Sequence, residues 1–158
     1  MPNEQNQKAI AVILGELDLK LDFESKADRL EIQKAIYLSQ RAGVNLSYWF
    51  NWYINGPYCS ALADDYYEAK AKLSELEHLR ASEGLKATLQ KVKLLLEAQP
   101  NGTTRPDWLE ALASLDYMRR VQRSAPKEAL QRCSNEKNHL ANILEAANDA
   151  LDRFGFAS

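Results

Sequence analysis

Apolar residues recur at helical spacing along almost the whole of this 158-residue chain, and the one long departure, Ser47–Tyr58, is a run of aromatics. That pattern restricts the fold class to a mainly α, single-domain bundle, expected to span residues 1–158, of six or seven helices with one short extended aromatic segment. Ile10, Ile13, Leu14 and Leu17 predict an amphipathic helix from about Asn3 to Glu16. Asp18–Phe23 alternates and reads as an extended connector that docks Leu19, Leu21 and Phe23.

Ser25 with Asp28 three residues on forms a capping-box variant, so a helix should run from there to Ala42 and stop at Gly43. Its apolar residues surround more than one stripe, which marks it as the central helix. Lys34 lies inside that apolar band, where an amine can snorkel to the surface or pair with a carboxylate. Nothing nearby supplies an electrophile site for a catalytic amine.

Within Ser47–Ile54, period two points Tyr48, Phe50, Trp52 and Ile54 one way and Trp49, Asn51, Tyr53 and Asn55 the other. Asn55-Gly56 tolerates positive φ and Pro57 fixes the next φ, so the chain is expected to turn there and enter a helix carrying Leu62, Tyr66, Ala69, Leu73 and Leu76 on one face. Asp64, Asp65 and Glu68 near its start suit the positive end of the helix dipole; Asp64 and Glu68 share a face, with no third metal ligand in sight. Leu85, Leu89, Val92 and Leu96 predict a further helix, and Thr104-Arg105-Pro106-Asp107 opens another through Trp108, Leu112, Leu115 and Arg119. A break at Ser124–Pro126 precedes a short helix to about Lys137, and Leu140–Phe154 supplies the last.

Twenty basic against twenty-two acidic residues leave a formal charge of −2, so no global positive field holds phosphates. The longest apolar runs are far below the roughly 20 residues of a membrane span, and the opening MPNEQNQ has no basic n-region, so a cytoplasmic protein is expected. Cys59 and Cys133, and His78 and His139, show no metal or disulfide spacing, so no metal and no cofactor is expected and the cysteines read as small apolar residues. Phosphate-loop, dinucleotide, zincin and serine-hydrolase motifs are absent, which leaves no catalytic residue to name.

Two binding surfaces remain. Ser47–Ala69 holds eight aromatics and no Lys or Arg, whereas a nucleic-acid stacking platform combines aromatics with positive charge. Trp49, Tyr53, Gly56, Pro57 and Tyr58 are therefore expected to serve packing and contact with another protein. The concentrated basic segment around Arg119, Arg120 and Arg123 reads as a solvated helix end, with a phosphate-contacting surface as the alternative.

Lys34–Gln40, Phe50–Tyr58, Leu62–Tyr66 and Trp108–Tyr117 together resemble the YwgA-like family of uncharacterised prokaryotic proteins and, more distantly, the Panacea, or SocA-like, antitoxin domain. The likeness covers about Leu30 to Leu151, and its Gly-Pro-Tyr segment is the more specific part. Family members usually carry Ser after Gly-Pro-Tyr and often Pro next; Cys59 and Ser60 stand here, which shifts the expected helix cap to Ser60. The resemblance implies a fold and a prophage, mobile-element or defence context more than a reaction, and the expected function is a non-enzymatic interaction module, antitoxin-like or linked to phage or defence. A small nucleic-acid-binding regulator is the alternative, and an unrecognised hydrolase or nuclease comes third.

Overall fold

The protein's structure, a computed structural model, describes residues 3–156, so the outermost residues of the expected 1–158 domain, and the first two of MPNEQNQ, lie outside it. Eight α-helices follow one another among the described residues: α1 (Glu4–Glu16), α2 (Lys26–Ala42), α3 (Ser60–Ala71), α4 (Leu73–Leu76), α5 (Glu83–Glu97), α6 (Arg105–Arg120), α7 (Pro126–Glu136) and α8 (Leu144–Arg153). Between α2 and α3 stand two strands, β1 (Asn51–Tyr53) and β2 (Gly56–Tyr58). The fold is mainly α, as the periodicity requires. No helix among the described residues is long and apolar enough to cross a membrane.

Helix starts follow the side chains that can satisfy free amides. Asn3 accepts from the Asn6 amide, Ser82 from Leu85 and Thr104 from Asp107, and Ser25 and Asp28 complete a reciprocal capping box. Each such cap contributes about 1 kcal/mol. Gly43 ends α2 at φ 126°. The helix expected through Leu76 is interrupted: α3 stops at Ala71, Lys72 leaves helical geometry, and α4 adds a single turn that buries Leu76. This break accounts for eight helices where six or seven are expected.

The centre is shared. Ile32–Ser39 of α2 are all buried, but in α6 every residue from Trp108 to Arg119 is buried, so α6 is the more enclosed of the two. Its sequence hides this, because Glu110, Ser114, Asp116 and Arg119 resemble a solvated face. Most of these polar groups have partners inside: Asp116 accepts from the Tyr37 hydroxyl and the Arg41 guanidinium at 2.7 Å each, and Trp108 donates its indole N–H to the Leu95 carbonyl at 2.8 Å. Burial of polar atoms is tolerated when they are bonded.

The aromatic segment is a tight antiparallel hairpin, with Trp52 opposite Pro57 and Tyr53 opposite Gly56. Alternation holds at first: Tyr48 and Phe50 are buried, Trp49 and Asn51 exposed, and Trp52 stacks on Tyr117 with centroids 5.6 Å apart. It fails at Ile54, which sits in the turn and is exposed rather than grouped with Phe50 and Trp52. The chain does not enter a helix at Pro57 either. Pro57 belongs to β2, and α3 begins at Ser60 with Cys59 as its cap position.

Ser60 is therefore the first helical residue and not the cap. The Cys59 side chain makes no capping bond; Gln33 instead holds that residue's backbone from both sides, accepting from its N–H and donating to its C=O at 2.9 Å each. A side chain from α2 thus fixes the backbone at the start of α3, although no side chain caps its free amides. Both cysteines are free and buried, and burial pushes the Cys133 thiol up to about 12.

Candidate functional site

Two buried lysines anchor the hairpin to the helices beneath it. Lys34 on α2 is wholly buried and donates from Nζ to the Pro57 carbonyl at 2.7 Å. Lys137, just past α7, donates to the Ile54 carbonyl and places its ammonium 5.2 Å from the Trp52 ring centroid, a cation–π distance. It also pairs with Glu110 Oε2 at 3.0 Å, while Glu110 Oε1 lies 3.1 Å from His139 Nε2.

Lys34 therefore neither snorkels nor pairs directly. Its hydrogen-bond partner is a backbone carbonyl, and Glu110 acts on it only through space. Burial lowers its pKa from 10.5 to about 7, with Glu110 opposing that shift and Lys137 adding to it. Glu110, Lys137 and His139 form the network beneath the hairpin that sequence reasoning missed. Lys137 lies 83 positions from the Ile54 carbonyl it holds, and no local pattern marks any of the three; only the lysine inside an apolar band was a readable signal.

Asp107, Glu110 and His139 bring donor atoms within 4.8 Å of one another, a convergence that spacing did not foretell. Both Glu110 oxygens are already engaged by Lys137 and His139, and a divalent ion there would sit beside a buried ammonium. Glu110 therefore reads as the centre of an ion-pair network with Lys137 and His139, and Asp107 only lies beside it. Asp64 and Glu68 stand exposed on α3, whereas Asp65 is buried, accepting from the Asn3 amide at 2.7 Å and from the Tyr48 hydroxyl. That tether, more than the helix dipole, explains the middle acid.

The expected contact residues divide into two groups. Trp49 is 80% exposed and Tyr53 is exposed, while half-buried Tyr58 sits edge-on to Tyr53 with centroids 5.4 Å apart. Gly56 and Pro57 are buried and shape the turn without offering surface. Ile54, not among the expected residues, is 89% exposed at the tip. The absence of basic residues from the aromatic stretch does not carry over to space: Lys26, Arg29 and Lys34 of α2 line a cavity with Tyr53 and Tyr58.

The three arginines do not form one surface. Arg119 is buried, donating to Asn148 Oδ1 at 2.9 Å and Asp152 Oδ1 at 2.6 Å, so it ties α6 to α8 and is removed from any phosphate-contacting set. Arg120 and Arg123 are exposed. Arg119→Ala should lower unfolding free energy by about 1–2 kcal/mol, less than a fully buried pair because Asp152 is half exposed. Arg120→Ala should stay within about 0.5 kcal/mol of wild type. Urea denaturation of the two variants checks this, and equal losses would contradict the division.

Comparison with protein-family models, with curated proteins and with solved structures finds no match to this chain.

Proposed function

We propose that this protein is a non-enzymatic interaction module that offers its hairpin and the neighbouring Trp49 to another protein. The observation that supports the reading is the exposure of Ile54 and Trp49 on a segment whose carbonyls at Ile54 and Pro57 are held by buried lysines. Apolar side chains displayed on an anchored backbone have little ordering left to lose on binding. Trp and Tyr are also the residue types most often found at the centre of interfaces. An antitoxin-like role, or one linked to phage or defence, in the cytoplasm belongs to the same proposal and is supported by the quoted motifs alone.

The test starts from capture of host molecules on the immobilised protein, followed by titration of whatever is retained at two salt concentrations. A protein should be retained, with affinity that changes little with salt and falls about tenfold or more in Trp49→Ala or Ile54→Ser. Thermal melts of these exposed-site variants should match wild type. Retention of nucleic acid, steeply salt-dependent and lost in an Arg120→Ala/Arg123→Ala variant, would favour the second reading and overturn the first.

A further inference from the structure

Behind the hairpin, between its tip and the first half of α2, lies an open cavity of about 380 Å³, within the size range of small-molecule sites. Leu30, Tyr53 and Tyr58 give it apolar walls, and Lys26, Arg29 and Lys34 are its charged members; none of its lining residues is acidic. Arg29 spends one nitrogen on the Phe23 carbonyl at 2.9 Å, and neither it nor Lys26 forms an ion pair among the described residues. Among the described residues Lys34 makes a single hydrogen bond, to Pro57, so its other N–H donors have no partner there.

We propose that this cavity binds a small ligand that joins one anionic group, such as a carboxylate, sulfonate or phosphate, to a flat apolar body. The cavity shares Tyr53 and Ile54 with the exposed tip, but the inference does not rest on the interaction reading, because it concerns a small ligand whose binding is measured with no protein partner present. The body would lie against Leu30 and the two tyrosines, and the anion would answer a cluster of cations that the protein itself leaves uncompensated. Glu110 cannot fill that role. One of its oxygens is taken by Lys137 and the other by His139.

An anion in the cavity favours the charged form of Lys34, so binding should take up a proton. The affinity is then complete below the lysine's value in the empty protein, about 7, and declines as pH rises above it. The charged groups acting on Lys34 are Glu110 of α6 and Lys137 after α7, and Tyr53, Tyr58, Arg29 and Lys26 line the cavity with it; His139 contacts Glu110.

Two fluorescent probes separate the possibilities: anilinonaphthalene sulfonate, which carries one anion, and neutral N-phenyl-1-naphthylamine, which keeps the apolar body. The sulfonate should bind saturably, and its affinity should fall about tenfold between pH 6 and pH 8.5. Arg29→Gln should weaken it by a similar factor and leave the neutral probe unchanged. Lys34→Met, checked for folding by its thermal melt, should abolish the pH dependence, while His139→Gln should preserve it. Should Lys34→Met not fold, the Arg29 and His139 variants still decide. Equal binding of both probes, a flat pH profile in wild type, no effect of Arg29→Gln, or loss of the pH dependence in His139→Gln would each overturn the proposal.

Discussion

Gly56→Ala should destabilise the protein by about 3 kcal/mol, of which 1–2 come from the backbone and the rest from overpacking. Gly56 has φ 92°, a conformation that side-chain-bearing residues rarely adopt, and a Cβ built there would lie 2.6 Å from Ser114 Oγ on α6. The hairpin is thus seated on α6 at the one residue with no side chain. Ser114 Oγ is itself buried and has no hydrogen-bond partner among the described residues. Ser114→Ala alone should accordingly be neutral or slightly stabilising.

The two substitutions should not add. In the double variant the new methyl no longer meets the hydroxyl, so the overpacking share returns and only the backbone share remains. Urea denaturation of the four proteins should give a coupling of about 1–2 kcal/mol. Strict additivity would show that the hairpin does not rest on α6, and the account of an anchored tip would fail with it.

The helices could be read from the chain because their signals are local. Asn3, Ser25, Thr104 and Gly43 act on amides or carbonyls within four residues, and apolar spacing is likewise a property of one turn and the next. The hairpin was only half legible. Alternation located Tyr48 and Phe50, but the position of α3 depended on Gln33, which lies 26 residues from the Cys59 backbone it holds. The deeper site was hidden for the same reason: Lys34 stood out in its apolar band, but Glu110, Lys137 and His139 come from distant parts of the chain and each alone resembles an ordinary charged residue on a helix or loop. Arg119 misled in the opposite sense, since a run of basic residues says nothing about which member turns inward towards Asp152.

Stability should rise, not fall, as the solution is taken from pH 7 to pH 9, and Lys34 is the reason. Its amine is charged up to about its ordinary 10.5 when the chain is unfolded but only up to about 7 when folded. Between those values the unfolded state holds the extra proton, so raising the pH favours the folded form; the contribution is complete above 10.5 and lost as pH falls through 7. At a limiting 1.36 kcal/mol per pH unit, the gain from pH 7 to pH 9 is about 2 kcal/mol. Other groups then reverse the trend. Burial raises the Cys133 thiol from 9.0 to about 12, and the Tyr66 hydroxyl from 10.0 to about 12, so each favours the folded state at lower pH and withdraws that support as the unfolded chain begins to ionise. The curve should peak near pH 9. Urea denaturation at pH 7, 8 and 9 should show the rise in wild type and its absence in Lys34→Met, which has nearly the same length but no proton to release. A flat wild-type profile would mean that the amine stays charged beneath the hairpin, and a rise that persists in Lys34→Met would assign the proton to another group.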